Sequence, residues 1–404
     1  MTTCCILGLG YIGLPTAAVL ARAGHRVIGV DVNAQVVATV NQGLIHIVEP
    51  DLDQVVADTV ASGALRAQLT PVPADVFLIA VPTPFRSGTD GIPKPNIDYV
   101  LSAARAIASV LRPGNLVLLE STSPVGTTEQ VALVIRQLSG LNTDQLDIAY
   151  CPERVLPGRI LQELVSNDRV IGGLTPAAAE AGNAFYATFC QGELLTTSAR
   201  TAELVKLTEN SFRDVNIAFA NELSLVCDHL SINVRELIRL ANHHPRVNVL
   251  QPGCGVGGHC IAVDPWFIAA EAPDCTPLIQ MARRVNDGKS RWVVEQVQAR
   301  AAALEDQLGR PACIGCLGLA FKPDVDDLRE SPALHITTEL LVAGLEVLAC
   351  EPNLYDHPAI KLHSLEQVLT KADLLVFLVA HSPFRSLNVT GRNVFDLCGV
   401  TEPG

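Results

Sequence analysis

Short apolar runs alternate with stretches of helical character along the first half of the chain. The apolar run Thr3–Gly8 predicts a buried strand, and Leu14–Ala23 predicts the helix that follows it. His25–Asp31 predicts a second strand, which ends in an acidic residue. Further apolar strands are predicted at Val76–Val81, Leu116–Glu120, Asp147–Tyr150 and Arg169–Gly172. Strands that alternate with helices indicate a parallel, doubly wound sheet.

A long stretch with few helix breakers, Thr201–Leu230, predicts one long helix in the middle of the chain. Beyond it the alternation restarts, with a helix near Ser331–Ala343 and strands at Ala312–Leu317, Glu346–Cys350 and Asp373–Val379. We therefore predict an α/β fold in which two doubly wound Rossmann-like domains are joined by a long central helix. Boundaries near Ser198–Arg200 and Gly309–Pro311 give domains of residues 1–199, 200–310 and 311–404.

Composition narrows the class of protein. With 404 residues and 49% hydrophobic content, the chain can bury two or three cores. A formal charge of −13 argues against nonspecific binding to nucleic acid or to an anionic membrane, although a local basic pocket for phosphates remains open. The apolar runs are too short for a membrane span, and the first strand starts too early to leave room for a signal peptide. Twelve cysteines without framework spacing favour reduced thiols and a cytoplasmic protein.

A glycine turn follows the first predicted strand. Gly8, Gly10 and Gly13 form G-x-G-x-x-G, and Asp31 lies 23 positions after Gly8. Such a turn places a pyrophosphate at a helix N-terminus, and the acid accepts a hydrogen bond from a ribose hydroxyl. Because a carboxylate repels the extra phosphate of NADP, the predicted cofactor is NAD. A turn that binds nothing is the alternative, and the surrounding strand, helix and acid disfavour it.

Hydroxyl side chains stand where two later strands end. Thr83 and Thr122 follow apolar strands at their C-terminal ends, which is where an open α/β sheet holds its ligand. They are candidates for binding the cofactor or ordering water. Helix caps or turns are the ordinary roles of the neighbouring residues Ser121, Ser123, Thr127 and Thr128.

The long helix carries Lys206, Asn210 and Arg213 at positions i, i+4 and i+7, which puts them on one face. A solvated face is the usual explanation of such a pattern. Nearby apolar residues make a partly buried polar stripe equally compatible with the sequence, and both alternatives stay open.

A glycine-rich segment, Gly253–Pro265, holds the most reactive candidate. Cys260 follows its glycines, and Asp264 lies four residues on. A thiol so placed can bond covalently to a carbonyl carbon, and together with a hydride acceptor it suggests oxidation past an aldehyde to an acid. An inert buried thiol is the alternative. A metal site of Cys254, His259 and Cys260 is disfavoured because the spacing does not match zinc sites.

Basic residues near predicted loops and strand ends are candidates for holding phosphate. Arg246 follows His243 and His244 in a predicted loop, where the alternative is a helix-ending turn. Lys322 and Arg329 follow the first strand of the last domain and suit a nucleotide diphosphate, although a surface role is the default for each. Beside them, Ser331 is a candidate N-cap before Pro332.

Over essentially the whole chain, these residues resemble the UDP-glucose/GDP-mannose dehydrogenase family. The resemblance is carried in order by GLGYIGLPTA, VPTP, CPERVLPG, KLTENSFRDVN, GGHCIAVDP and GLAFKPDVDDLRESP. Within the family, YCPERVLPGR, NDRVIGG and ANHHPRVNVLQPG are most similar to the bacterial branch that oxidises the C6 alcohol of UDP-N-acetyl-D-mannosamine to a carboxylate. The resemblance implies that two NAD are consumed per sugar. With the apolar faces of the long helix, it also implies a homodimer.

The resemblance also implies roles for particular residues. Cys260 would capture the aldehyde as a thiohemiacetal that is then oxidised to a thioester, and Lys206 and Asn210 would hold the reacting oxygen. Asp264 and Glu153 would handle the hydrolytic water. The implied cofactor contacts are Gly8, Gly10, Tyr11, Ile12, Gly13, Asp31, Thr83, Thr122 and Arg329. The implied sugar-nucleotide contacts are Arg154, Val155, Lys206, Asn210, Arg213, His244, Arg246, Gly257, Phe321, Lys322 and, with a looser match, Arg392.

The sequence departs from the family pattern at two positions, of which the first bears on the substrate and the second is expected to be structurally neutral. Val263 stands where many glucose- and mannose-type members carry lysine, which favours the N-acetylhexosamine branch, and Cys254 stands where proline is common among close relatives. The alternatives are a UDP-N-acetylglucosamine 6-dehydrogenase of the same mechanism, a two-electron dehydrogenase, and a catalytically silent sugar-nucleotide sensor. The last would lack the cysteine or the lysine, and both are present.

Overall fold

The computed structural model describes residues 1–86, 92–142, 144–156, 158–258 and 260–401. The chain divides into two compact units. The N-terminal unit contains Met1–Glu209 and Trp266–Glu271, and the C-terminal unit contains Asn210–Pro265 and Ala272–Gly404.

The N-terminal unit alternates strands and helices from its first residues. Its strands are β1 (Thr3–Leu7), β2 (Arg26–Val30), β3 (Leu65–Gln68), β4 (Val76–Ile79), β5 (Phe85–Arg86), β6 (Lys94–Pro95), β7 (Leu116–Leu119), β8 (Asp147–Tyr150), β9 (Arg169–Gly173) and β10 (Leu194–Ser198). Its helices are α1 (Gly13–Arg22), α2 (Ala34–Asn41), α3 (Leu52–Ala61), α4 (Asp98–Ala108), α5 (Thr127–Ser139), α6 (Ile160–Ser166) and α7 (Pro176–Tyr186).

Eight of these strands form one sheet in the order β10-β9-β8-β7-β4-β1-β2-β3. The strand order reverses beside β1, whose neighbours are β2 and β4, and ligands of doubly wound sheets bind at such a point. One pair departs from the predicted parallel sheet, because β8 and β9 are antiparallel. The short connection through α6 returns the chain beside β8 without the crossover that a parallel neighbour requires.

The central strands are apolar along their whole length because both faces of the sheet are covered. In β1, Cys4 and Ile6 pack into the core on one face, and Cys5 and Leu7 pack into the core on the other. Strands buried on both faces appear as continuous apolar runs rather than as alternating ones. This is why the sequence showed the central strands clearly.

The predicted long helix is present as α8 (Ala199–Leu230), which begins in the N-terminal unit and continues in the C-terminal unit. The other helices of the middle and last parts of the chain are α9 (Val234–Ala241), α10 (Asp264–Glu271), α11 (Pro277–Leu308), α12 (Pro332–Val342) and α13 (Leu365–Lys371).

The C-terminal unit has a smaller sheet whose strands are β11 (Cys313–Leu317), β12 (Glu346–Cys350), β13 (Leu374–Phe377) and β14 (Asn393–Asp396). All pairs in the order β12-β11-β13-β14 are parallel. The predicted fold class is thus confirmed. Ser331 is the N-cap of α12, as predicted, and accepts a hydrogen bond from the Leu334 N–H. None of the helices in the described part of the chain has the length and apolar character of a membrane span.

Candidate active site

The glycine turn after β1 is tightly packed at two of its three glycines. A Cβ on Gly13 would lie 1.8 Å from the Gly8 carbonyl oxygen, and one on Gly8 would lie 2.6 Å from the Ala80 carbonyl oxygen. Gly8 also has a φ of 93°. A Cβ on Gly10 would meet no atom within 4 Å. The turn therefore needs Gly8 and Gly13 to fold, whereas Gly10 leaves open space where a phosphate can approach the backbone.

Asp31 lies directly after β2, beside this turn. Its Oδ2 accepts a hydrogen bond from the Leu9 N–H at 3.0 Å, and its Oδ1 accepts one from the Asn33 N–H at 2.9 Å. The side chain is only partly buried. A carboxylate oriented in this way is a suitable acceptor for a ribose hydroxyl. Tyr11 and Ile12, between Gly10 and α1, are also partly buried.

Thr83 and Thr122 lie together at the C-terminal edge of the sheet. The Thr83 hydroxyl donates to the Thr122 carbonyl at 2.6 Å. The hydroxyls of Ser121 and Ser123 donate to nearby carbonyls, in the turn roles expected of them.

Neither threonine at the start of α5 caps that helix. Its N-cap is Gly126, and the capping oxygens come from Glu203 on α8, which accepts hydrogen bonds from the Gly126 and Thr128 N–H groups at 2.6 and 2.8 Å. Burial raises the pKa of Glu203, and the hydrogen bonds from α5 offset only part of that shift. Thr128 and Glu203 are 75 residues apart, and no short-range sequence pattern relates them, so this cap was not predicted from the sequence.

Glu153 and Arg154 follow β8. Glu153 is buried, its Oε2 lies 3.4 Å from the Arg169 guanidinium, and its Oε1 accepts a hydrogen bond from the Arg154 N–H. The Arg154 guanidinium forms an ion pair of 2.6 Å with Glu209 on α8. Val155 packs against the small apolar cluster that contains Leu164.

Of the three residues predicted on one face of the long helix, Lys206 and Asn210 are buried and Arg213 is exposed. Lys206 belongs to the N-terminal unit, and Asn210 and Arg213 belong to the C-terminal unit. The polar stripe is therefore partly buried, and this decides between the two alternatives left open by the sequence.

Cys260 lies shortly before α10, and its carbonyl accepts the N–H groups of Val263 and Asp264 at 2.9 and 2.8 Å. The residue is half-buried. Asp264 is 2% exposed, and its Oδ2 lies 2.5 Å from the amide nitrogen of Asn210, which donates the hydrogen bond. The structure thus brings Asn210 and Asp264 together, close in sequence to the thiol.

The glycines before Cys260 pack against the segment that precedes α12. A Cβ on Gly257 would lie 2.3 Å from the Glu330 carbonyl oxygen, and one on Gly258 would lie 2.8 Å from the Phe321 ring. The Gly258 N–H donates to the Arg329 carbonyl at 3.1 Å. Two predicted substrate residues, Gly257 and Phe321, therefore belong to one packed region of the C-terminal unit.

The remaining predicted contacts lie on loops or surfaces. The Lys322 amine lies 5.8 Å from the Phe321 ring centre, and the half-exposed Arg329 guanidinium pairs with Asp327. His244 and Arg246 are exposed in the turn after α9. The Arg392 guanidinium donates to two carbonyls at the end of α13, which is a helix-capping position.

Cys254 is a buried member of the C-terminal core, and its thiol donates to the Leu378 carbonyl. Burial raises its pKa to about 12. Among the described residues no group of three or more His, Cys, Asp and Glu side chains is arranged to hold a metal, and His259 lies outside the described residues.

Sequence reasoning missed a buried polar cluster near Glu153 that consists of Glu120, Arg169 and Tyr186. Glu120 and Arg169 were recognised only as the end and the start of predicted strands. The available signal was the presence of charged residues within otherwise apolar runs, since unpaired charges are rarely buried.

Three family models together match most of the chain. Residues 2–190 match the UDP-glucose/GDP-mannose dehydrogenase family NAD binding domain, residues 200–288 match its central domain, and residues 315–403 match its UDP binding domain.

Curated relatives and solved structures match over almost their full length. UDP-N-acetyl-D-mannosamine dehydrogenase of Escherichia coli is 55% identical over 97% of this chain and 96% of its own. NDP-N-acetyl-D-galactosaminuronic acid dehydrogenase of Ralstonia nicotianae is 51% identical over 98% of this chain and 96% of its own. The solved UDP-N-acetyl-mannosamine dehydrogenase from S. aureus has a TM-score of 0.90 and 42% identity, covering 100% of this chain and 96% of that one.

Proposed function

The chain belongs to the UDP-glucose/GDP-mannose dehydrogenase family, and on that premise we propose that it oxidises UDP-N-acetyl-D-mannosamine at C6 to UDP-N-acetyl-D-mannosaminuronate with NAD. The relatives that carry the corresponding name are 53–55% identical over nearly the full length. The matches to the NAD binding and UDP binding domains support the cofactor and the nucleotide part of the substrate.

One observation carries the proposal. Cys260 lies shortly before α10, in a glycine-rich segment whose next carboxylate, Asp264, is buried and held by the Asn210 amide. Oxidation of an alcohol to a carbonyl compound does not require a thiol in such a position. Oxidation of an aldehyde to an acid can use the thiol as a nucleophile that forms a covalent intermediate with the aldehyde carbon.

The proposed reaction has three stages on the protein. Removal of a hydride and a proton from the C6 alcohol gives the aldehyde, and the Cys260 thiolate adds to its carbonyl carbon to give a thiohemiacetal. Removal of a second hydride from this carbon and of the proton from its hydroxyl gives a thioester. Water then attacks the acyl carbon, and the carbon–sulfur bond breaks to release the carboxylate and restore the thiol.

The remaining catalytic side chains have roles that follow from charge and hydrogen bonding. Lys206 supplies a positive charge for the oxygen that becomes anionic, and Asn210 supplies an amide donor for it. Glu153 and Asp264 accept protons from the attacking water. Arg154, Val155, Arg213, His244 and Arg246 are proposed to contact the sugar nucleotide, together with Gly257, Phe321, Lys322 and Arg392.

The glycine turn fits NAD on the geometry of this chain. The open space at Gly10 admits a pyrophosphate, and the Asp31 carboxylate faces the position of a ribose and disfavours NADP. When bound there, NAD accepts the hydride in each oxidation. Tyr11, Ile12, Thr83, Thr122 and Arg329 are the further proposed contacts.

We also propose that the protein acts in the cytoplasm as a homodimer paired through α8. Phe212, Phe219 and Val226 are 68%, 53% and 47% exposed and recur every seven residues, so they form one apolar stripe. A second copy of the chain can cover this stripe. The twelve cysteines, all free, fit a reducing compartment. Light scattering should give a dimer at micromolar concentration, and Phe219→Glu should shift it to monomer.

The experiment that tests the activity counts NADH formed per sugar consumed, with UDP-N-acetylmannosamine, UDP-N-acetylglucosamine and UDP-glucose side by side. We expect two NADH per UDP-N-acetylmannosamine and little from the others. Cys260→Ala should lose acid formation, whereas Cys275→Ala, which removes an exposed cysteine, should retain it. A ratio of one, or normal acid formation by Cys260→Ala, would contradict the covalent scheme.

The second candidate is the same chemistry on another N-acetylhexosamine. The 51% identity to a relative named for N-acetyl-D-galactosaminuronic acid favours keeping this possibility, since N-acetylgalactosamine differs from N-acetylmannosamine only in the configuration at C2 and C4. Two NADH from a different UDP-sugar would move the assignment to that sugar and leave the mechanism standing.

A further inference from the structure

Glu120 is a buried carboxyl group just beyond β7, and none of the roles above involves it. It is 2% exposed. Its Oε1 accepts a hydrogen bond of 2.7 Å from the Tyr186 hydroxyl on α7, and its Oε2 has no hydrogen-bond partner among the described residues. An ionised carboxylate in this position would leave one oxygen desolvated and unpaired, which is costly, and protonation removes most of that cost.

The nearby cation is committed to another carboxylate. The Arg169 guanidinium lies 3.4 Å from Glu153 Oε2, donates to the Leu164 carbonyl at 3.0 Å, and stacks on the Tyr186 ring at 4.7 Å. Arg169 is 3% exposed and Glu153 is 8% exposed, so water screens the pair little. The cluster therefore contains two carboxyl groups and one positive charge in an apolar surrounding.

We propose that Glu120 holds a proton and in that form acts as a positioning residue for Glu153. With Glu120 neutral, the cluster carries one carboxylate, Glu153, balanced by Arg169. A second carboxylate at Glu120 would compete for the same guanidinium and draw it away from Glu153. This inference deepens the proposed function and rests on it, because there Glu153 handles the hydrolytic water.

The electrostatics of the cluster support this assignment. Burial raises the pKa of Glu120 and the charge of Glu153 raises it further, while Arg169 and Tyr186 lower it, leaving it at about 7. Cys151 is a further titratable neighbour, and burial raises its pKa to about 12, so it stays a neutral thiol.

The sign of the effect on stability follows from this shift. Between the ordinary pKa of glutamate, 4.5, and about 7, the folded protein holds a proton that the unfolded chain has lost. The stability that Glu120 contributes is therefore complete below the ordinary value and is lost as the pH rises through the raised one.

The first test measures thermal unfolding of the unliganded protein from about pH 5 to about pH 8.5, a range that brackets the titration. Glu120→Gln copies the protonated acid, so its melting temperature should nearly match that of the unsubstituted protein at about pH 5, exceed it increasingly as the pH rises to about 7, and exceed it by a constant amount above that. In Glu153→Gln the midpoint of the pH dependence should fall by about one unit or more. Tyr186→Phe should raise the midpoint. Glu180→Gln, an exposed change on α7, is the matched control and should leave the profile unaltered.

The second test links the proton to catalysis through the ratio of kcat in Glu120→Gln to kcat in the unsubstituted protein. The ratio should lie near one at about pH 6 and then rise, approaching a factor of about ten for each further pH unit above the titration. A ratio of rates measured at the same pH cancels every ionisation that the two proteins share, and a purely structural role of Glu120 would leave it constant.

The two tests distinguish failure of the proton sharing, failure of the positioning role and failure of the proposed function. A melting difference between Glu120→Gln and the unsubstituted protein that stays constant with pH, or a midpoint unmoved by Glu153→Gln, overturns the proton sharing. A constant kcat ratio overturns the positioning role. Absence of turnover on every UDP-sugar overturns the proposed function instead, and the melting experiment still decides where the proton resides.

Discussion

Replacement of Gly13 by alanine should destabilise the N-terminal unit, whereas the same change at Gly10 should spare the fold and weaken NAD binding. The two residues belong to one turn, so they form a matched pair. The added methyl on Gly13 would stand 1.8 Å from the Gly8 carbonyl oxygen and 2.9 Å from its carbon. Both atoms belong to the backbone, which cannot rotate aside as a side chain can.

The magnitude follows from how firmly Gly8 is held. Its N–H donates to the Val30 carbonyl at 2.8 Å, and its own Cβ position is blocked by the Ala80 carbonyl. Relieving the contact at Gly13 requires a backbone shift of roughly 1 Å, and forced shifts of this kind cost about 1–3 kcal/mol or more. The better helix propensity of alanine at the first position of α1 returns at most about 1 kcal/mol. We therefore expect a net loss of about 2 kcal/mol.

At Gly10 the cost in folding free energy is smaller, because no atom lies within 4 Å of the position that the added methyl would take. The free energy of unfolding should change by less than about 0.5 kcal/mol. A methyl at that point nevertheless occupies the space through which a pyrophosphate would approach the backbone. We expect the Kd for NAD to rise at least about tenfold, which corresponds to about 1.4 kcal/mol.

The assay combines urea unfolding of the unliganded proteins with NAD titration followed by tryptophan fluorescence or calorimetry. Unchanged NAD affinity in Gly10→Ala would refute the assignment of this turn as the phosphate site. Unchanged stability in Gly13→Ala would refute the packing argument, while leaving the binding result interpretable.

Three further predictions concern other parts of the chain. Gly258→Ala places a methyl against the Phe321 ring at a φ of 83°, so kcat should fall by at least about tenfold. The control is Gly253→Ala, whose added methyl has its nearest atom at 3.9 Å and should lower kcat by less than about twofold. Steady-state rates of both variants test this prediction. Glu203→Ala removes the cap of α5 and should lower the free energy of unfolding, measured by urea unfolding, by about 2–3 kcal/mol. A loss below about 0.5 kcal/mol would contradict the capping role. Asp31→Ser should raise the ratio of kcat/KM for NADP to that for NAD by at least about tenfold, and an unaltered ratio would count against Asp31 as the ribose acceptor.

Most of the strands that the sequence identified are buried on both faces, although the half-buried edge strand β12 was also predicted. β1, β4, β7 and β11 are continuous apolar runs, and their positions were predicted to within one or two residues at each end. β10 was missed because it forms one edge of the large sheet, where its Leu194–Ser198 segment is mostly exposed and polar threonines are tolerated. Apolar patterns in a sequence indicate burial, so an exposed edge strand such as β10 gives little signal.

The helix α11 shows a different limit. Its buried face carries Arg283, Asn286 and Lys289, so the apolar periodicity is interrupted on that face. Arg283 is paired with buried Asp214 at 2.7 Å, which makes the burial of its charge tolerable. Polar residues satisfied by partners far along the chain look like a solvated face in the sequence, and this also concealed the Glu120 cluster.

The candidate site was predictable where chemistry depends on local spacing. The turn at Gly8 and the thiol at Cys260 are defined by residues within a few positions of one another, and the family resemblance extended the set to Lys206 and Asp264. The Glu153 pair with Arg169 was not predictable, because it joins the segments after β8 and at the start of β9 through the antiparallel return. The antiparallel pairing of β8 and β9 is a tertiary feature, and no local sequence pattern indicates it.

The two α/β halves show why an equivalent position need not keep an equivalent role. After β2, the Asp31 carboxylate accepts the Leu9 N–H and remains partly open to a ligand. After β12, the Glu351 carboxylate accepts the Leu319 N–H in the same way, but it is 4% exposed and its Oε2 lies 3.0 Å from Nε2 of the buried His381. Burial alone raises the pKa of Glu351, and the hydrogen bonds from His381 and Leu319 outweigh it and leave the pKa below its ordinary value. Because the Glu351 carboxylate is already bonded to His381 and is shielded from solvent, we expect a nucleotide in the C-terminal unit to be recognised by other groups.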